Sequence, residues 1–185
     1  MPEPRSPLIV PVLTSARIVL EPLSAAHGAG MFAMWSQAEV CRYAGAAFDL
    51  DGAPIRLPAV TPADSDKIIE FFVAGAAAGT RFRWALLTMP GRAFAGAAGF
   101  NALGRCSEYA YHLDPRFRGR GLMTEASQMA LDWLRARAGC REVEAFIEPG
   151  NAASIKLAKR LGLRTTGVFA DGAERHAMSF EGAGP

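Results

Sequence analysis

The chain has 185 residues, half of them hydrophobic and 21% charged, with a formal net charge of +2. That length suits one domain with a substantial core, and so small a charge gives no reason to send the whole molecule to nucleic acid or an anionic membrane. Cys41, Cys106 and Cys140 are odd in number and widely spaced, with no CxxC or Cys/His ligand pattern, so neither a disulfide framework nor a zinc or other metal site is expected, and reduced thiols in the cytoplasm are.

Residues 1–13 carry prolines at 2, 4, 7 and 11 and no long apolar stretch. They read as a flexible lead-in and not as a secretory signal, with the domain proper over residues 14–182. No apolar run approaches the roughly 20 residues of a membrane helix. Arg17–Pro22, apolar at its centre and β-branched, predicts a first strand. Ser24 caps a helical run through Trp35, with Ala29, Phe32 and Ala33 at helical spacing. Residues 45–60 are irregular, broken by Gly45, Gly52, Pro54 and Pro58. Thr61-Pro62 opens a second helix carrying Ile68, Ile69, Phe72 and Val73.

From Arg81 the period changes to that of strands. Phe82–Thr88, Ala93–Asn101 and Ser107–Leu113 are joined by short links, which favour antiparallel neighbours. Leu122 to about Ala138 is a helix with Leu122, Ala126, Met129 and Trp133 on one face. Glu142–Ile147 is a strand, Ala152–Leu161 a helix, and Leu163–Phe169 with Arg175–Phe180 a closing hairpin around Asp171-Gly172. The order β α α β β β α β α β β predicts a mixed sheet with helices on both faces, an α/β or α+β domain. Monomer and homodimer both fit the sequence.

The stretch Asp114-Pro-Arg-Phe-Arg-Gly-Arg-Gly121 lies between a strand and a helix. A helix start presents free N–H groups and the positive end of the dipole, so it favours anions. Gly119 and Gly121 permit close backbone approach, and Arg116, Arg118 and Arg120 add charge-assisted donors. Several donors fanning from one turn suit a pyrophosphate. The lysine of an NTPase P-loop is absent, the third glycine of a dinucleotide fingerprint is replaced by Thr124, and only Phe117 offers a base-stacking aromatic.

Four segments in order resemble the GNAT family of N-acetyltransferases, nearest to its ribosomal-protein N-terminal acetyltransferase (RimJ/RimL-like) branch. Leu13-Thr-Ser-Ala-Arg-Ile-Val-Leu20 is similar to the opening strand of that branch. Glu108-Tyr-Ala-Tyr-His-Leu-Asp-Pro115 is similar to its central strand and the splay that follows. Arg118-Gly-Arg-Gly-Leu-Met-Thr-Glu-Ala126 resembles the Q/R-x-x-G-x-G/A loop. Asn151-Ala-Ala-Ser154 through Lys159-Arg-Leu-Gly-Leu163 resembles the asparagine-initiated helix and its exit.

The resemblance implies acetyl transfer from acetyl-CoA to a primary amine by direct attack, with no metal. It implies a coenzyme A site at Leu113, Arg118, Gly119, Arg120, Gly121, Leu122, Met123 and Thr124, with Asn151 and Ser154 along the cofactor. The Leu113 N–H would stabilise charge on the thioester oxygen. Asn151 reads equally well as a plain N-cap. An amine acceptor with a pKa near about 10.4 arrives protonated, so a base is required. Glu108 stands where relatives often carry one, and His112, on the same strand face, is the second candidate because an ordinary imidazole titrates near about 6.5. Two residues depart from the family pattern: Met123 replaces the usual small residue of the loop, and Ala158 replaces the usual tyrosine acid. A non-catalytic acyl-CoA-binding module is therefore the alternative. The acids Asp49, Asp51, Asp64, Asp66 and Glu70, against Arg56 and Lys67, suggest an acidic acceptor mouth over residues 45–70. Aminoglycosides, polyamines, amino acids and protein N-termini are all compatible with it.

Overall fold

The computed structural model describes residues 7–180. Along the chain come β1 (Leu13–Thr14), β2 (Ile18–Pro22), α1 (Gly28–Trp35), α2 (Ala38–Cys41), β3 (Ala47–Phe48), β4 (Pro54–Ile55) and α3 (Pro62–Ala77). They are followed by β5 (Phe82–Thr88), β6 (Phe94–Ala102), β7 (Cys106–Leu113), α4 (Leu122–Arg135), β8 (Glu142–Ile147), α5 (Ala152–Leu161), β9 (Arg164–Ala170) and β10 (Ala173–Ser179). The expected order is present, with the two-residue β1, the single turn α2 and the small β3–β4 hairpin added in stretches too short for a periodic signal. Ser24 caps a 3-10 turn, Ala25–His27, before α1 begins. Thr61 and Asp64 form a capping box at α3, where the Thr61 N–H donates to Asp64 at 2.8 Å. Helix α4 stops at Arg135, three residues before the expected Ala138.

Eight strands form one sheet in the order β1-β2-β5-β6-β7-β8-β10-β9. Every pair is antiparallel except β7 with β8, which run parallel. Strand β5 shows why both faces are covered. Phe82, Trp84 and Leu86 enter a core with α4 and α5, while Ala85 and Leu87 enter a second core with α1 and α3. An aromatic cluster anchors the first core, with Trp133 of α4 5.0 Å from Phe82 and 5.4 Å from Trp84.

The lead-in expected to be loose is docked from Leu8 onward. The Leu8 N–H donates to Ala76 O at 2.9 Å, and Pro11 O accepts from the buried Trp84 indole at 2.8 Å. Leu8, Val10 and Leu13 pack against the first core, so this segment is held against the end of α3 and the sheet. Residues 1–6 and 181–182 lie outside the described residues. No helix among the described residues is long and apolar enough to cross a membrane. At the other sheet edge, β9 leaves Val168 and Phe169 exposed.

Strand β6 lies close against β7 because it is rich in glycine. A Cβ on Gly96 would stand 2.3 Å from His112 O and 3.1 Å from Leu113 Cα. Substituting Gly96→Ala is expected to push β7 away and cost about 1–3 kcal/mol, read as a lower Tm in thermal unfolding.

Candidate active site

Strands β7 and β8 stay together for only three residues, Cys106, Ser107 and Glu108 against Glu142, Val143 and Glu144. Beyond Glu108 they part. The Asp114 N–H donates to Ala95 O at 2.8 Å, so residue 114 faces β6. Because N–H direction alternates along a strand, Tyr111 and Leu113 direct theirs the other way, into the gap that β8 has vacated. The gap thus carries backbone donors on one wall and the start of α5 on the other.

The loop after β7 is braced from beneath. Asp114, 1% exposed, accepts from the Arg116 N–H at 2.9 Å and from its guanidinium at 3.0 and 2.8 Å, and from Gln37 at 3.2 Å. These donors, Arg116 first, hold its carboxyl below the usual carboxylate range. Gly119 and Gly121 both have φ of +74°, the left-handed region in which a side chain is strained. The Glu125 N–H is the first to bond back, to Gly121 O, so the N–H groups of Leu122, Met123 and Thr124 precede the intrahelical ladder. Arg17 ties the loop to the helix by donating to Arg120 O at 2.9 Å and to Glu125 at 2.8 Å.

A cleft of about 670 Å³ opens above this turn. Of the expected cofactor residues, Leu113, Arg118, Gly119, Gly121, Leu122, Met123, Thr124, Asn151 and Ser154 line it. Arg120 does not: its guanidinium lies 5.5 Å from the Phe117 ring centroid. Arg116 is likewise committed, to Asp114. Met123 is 6% exposed, its bulk spent in the core. Arg42, Lys156 and Arg160 also line the cleft, and with Arg118 they face a single acid, Glu39. Lys156 and Arg160 are spaced i, i+4 on α5 and were legible as one basic face; Arg42 gave no such signal. Open space before Gly119, free first-turn donors and four basic side chains fit a polyphosphate.

Residues 39–43 cross this cleft as a strap. Glu39 pairs with Arg118 on one bank, and the Tyr43 hydroxyl donates to Gly150 O at 3.0 Å on the other. Asn151, expected along the cofactor or as a plain N-cap, does cap α5, accepting from the Ser154 N–H at 3.2 Å.

A second cleft of about 500 Å³ meets the first along Tyr43, Tyr111, His112, Asn151 and Ser154. Glu108 lies in it, and its Oε1 accepts from Asn101 Nδ2 at 2.5 Å. His112 shares that face, as strand alternation requires. Its ring lies 4.3 Å from that of Trp35. Burial, with the nearby Arg83 charge, pushes its pKa down to about 3, well below the ordinary value that made it a candidate base. Tyr111 spans the gap, its hydroxyl donating to Ser154 Oγ at 2.8 Å. Burial raises its pKa. Ala158, at the position of the missing tyrosine, lies one turn beyond Ser154 and lines the second cleft. Sequence reasoning did not foresee Tyr111, which brings a hydroxyl there from the opposite wall.

The acids of residues 45–70 are not the cleft's charge. Asp64 caps α3, Asp49 closes its own turn and pairs with Lys67, and none of that set lines the second cleft. Its acids are Glu108, Glu148 and Asp171, with no Lys or Arg among the lining residues. Among the described residues no three His, Cys, Asp or Glu side chains are grouped to hold a metal ion.

Residues 17–164 match the acetyltransferase (GNAT) domain family. A protein of Bordetella pertussis assigned to the GNAT-family acetyltransferases is 26% identical over 92% of this chain and 99% of its own, with a TM-score of 0.70. RimL, a ribosomal L7/L12 α-N-protein acetyltransferase solved with coenzyme A, superposes with a TM-score of 0.77 at 16% identity over 92% and 99%. A ribosomal-protein-S5-alanine acetyltransferase of Vibrio fischeri does so with 0.75 at 14% over 95% and 100%. The last two show likeness of fold. With its parted sheet, glycine turn and two meeting clefts, the chain belongs to the GNAT family of acetyl-CoA-dependent acetyltransferases.

Proposed function

We propose that the protein moves the acetyl group of acetyl-CoA to a primary amine carried by a cationic acceptor, a small amine or a protein N-terminus. One observation carries this reading: two clefts of opposite charge meet where β7 leaves β8. The basic cleft suits the phosphates, and the acidic one attracts a protonated amine. The names of the ribosomal-protein acetyltransferases support a protein N-terminus as one acceptor class. A cytoplasmic location fits the free thiols Cys41, Cys106 and Cys140.

Leu122, Met123 and Thr124 would hold the pyrophosphate by their N–H groups, with Arg118, Lys156 and Arg160 adding charge. Acetyl-CoA supplies the activated thioester. The Leu113 N–H, aimed into the gap, serves the carbonyl oxygen as it gains charge. Glu108 takes the proton that the ammonium must lose, directly or through a water. His112 is neutral and weakly basic at physiological pH, and it shapes the acceptor wall with Trp35. The Tyr111–Ser154 pair supplies hydroxyl protons toward the departing thiolate, a modest demand because a thiol of pKa about 8.5 leaves readily.

Calorimetric titration with acetyl-CoA is the direct test. Arg118→Ala is expected to weaken binding about five- to tenfold, a charge-assisted contact of roughly 1–1.4 kcal/mol, and Arg120→Ala less than about twofold. Absence of binding by the wild type would overturn the reading, and binding without transfer to any amine would favour the acyl-CoA-binding module. Glu108→Gln is expected to lower kcat by about 10²-fold or more with acetyl-CoA affinity unchanged. His112→Gln is expected to leave the shape of the kcat/KM pH profile intact between about pH 5 and 9, because a group titrating at about 3 changes no charge there. A limb near about 6.5 that disappears in the variant would return the base role to His112.

A further inference from the structure

Arg83 of β5 is a buried charge without a direct ion-pair partner, although Glu108 lies near enough to act on it electrostatically. The Arg83 side chain is 5% exposed, and no carboxylate among the described residues lies within ion-pair distance. Asp114, the other charged residue buried to this degree, has Arg116. Arg83 donates instead to two neutral oxygens, Ala110 O at 2.9 Å and Asn101 Oδ1 at 2.6 Å, and lies 4.5 Å from the centroid of Phe72. Burial lowers its pKa to about 10, so it still carries its charge at neutral pH. A site serving stability alone is as well filled by an apolar side chain.

The bonding order is forced. A guanidinium only donates, so Asn101 must turn its oxygen to Arg83 and its NH₂ group to Glu108. Asn101 is also the extra residue of a β-bulge between Phe100 and Ala102, where Ala102 takes the place opposite Glu108. The bulge releases Asn101 from the ladder and re-aims its side chain. Glu108 Oε1 is thereby held, while Oε2 makes no hydrogen bond among the described residues.

The other charges around Glu108 do not substitute for this arrangement. Glu144 stands opposite it on β8, but Arg175 of β10 engages that carboxylate. Glu148 and Asp171 line the same cleft and His112 lies two residues along the strand. Of the cations nearby, Arg175 is engaged by Glu142 and Glu144, and Arg83 is the one that reaches Glu108 through a hydrogen-bonded side chain.

We infer that Arg83 and Asn101 are positioning residues of the transfer reaction: they fix one oxygen of the Glu108 carboxylate and leave the other for the acceptor amine. This rests on Glu108 being the base. The test follows the Glu108 side-chain carboxyl carbon by NMR in the full-length protein, assigned by its loss in Glu108→Gln, so no acceptor is required. Asn101→Asp keeps the volume and gives Arg83 a carboxylate, and it replaces the donor facing Glu108 with a like charge. Arg83→Met removes the charge. In both variants, at about pH 7, that resonance is expected to move from its wild-type position, because the hydrogen bond that fixes Oε1 is lost or loosened. With acetyl-CoA and 1,4-diaminobutane, kcat is expected to fall about tenfold or more while the KM for acetyl-CoA holds. A resonance unmoved in two variants that still melt cooperatively would overturn the inference. So would an Arg83→Met loss of the same size in the Glu108→Gln background. Full activity in Glu108→Gln alone would instead remove the base assignment, and the proposed role with it, even if the resonance moves as expected.

Discussion

The organisation of the molecule depends on how briefly β7 and β8 pair. Three residues of parallel ladder join the two halves of the sheet, and then the strands diverge. A parted pair leaves N–H groups facing a gap, where an unfilled donor has a cost. The rest of the fold keeps that gap open and lined. Glycine-rich β6 holds β7 from one side, α4 begins immediately beyond it, and α5 starts on the far wall with Asn151 as its cap. The donors that face the gap are thus largely backbone, while Met123 and Ala158 are buried against the first core.

Charge is distributed along this gap by the direction of each element. Helix α4 presents its N-terminus to one end, and the basic residues of α5 and of the residue 39–43 strap face the same cleft. The other end has carboxylates from β7, from the turn before α5 and from the β9–β10 turn. The bracing groups are kept out of solvent competition or doubly engaged: Asp114 with Arg116 and Gln37, Arg17 with Glu125 and a loop carbonyl. Such bracing matters more than the number of arginines. Of the three in the loop, one braces, one packs on Phe117 and one enters the cleft.

Much of this was legible in the sequence because it is local. The strands from Phe82 to Leu113, the glycine loop and the Asn151 helix are written in contiguous residues with their own caps and periods. What escaped was non-local or too short. The single turn α2 has no period to read. The Arg83–Asn101–Glu108 chain joins three strands and depends on a bulge that shifts register by one residue. The acids of residues 45–70 look like a substrate mouth in composition, yet Asp49 and Asp64 are used to close a turn and cap a helix. Counting charges cannot separate those uses. The docking of residues 8–13 was hidden for a similar reason: prolines suggest looseness, whereas the carbonyl of Pro11 is the partner that the Trp84 indole needs.

The pairing of Arg118 with Glu39 has a consequence for release. An anion that engages this guanidinium either shares it with Glu39, which occupies only Nη1, or displaces that carboxylate. Glu39 thus stands as a competitor, inside the protein, for any anion that enters the basic cleft. When product leaves, Glu39 is at hand to take back the arginine, and departure need not expose a naked charge. Glu39 and Tyr43 belong to the same strap, so the residue that holds Arg118 and the residue that lines both clefts are four positions apart on one short segment.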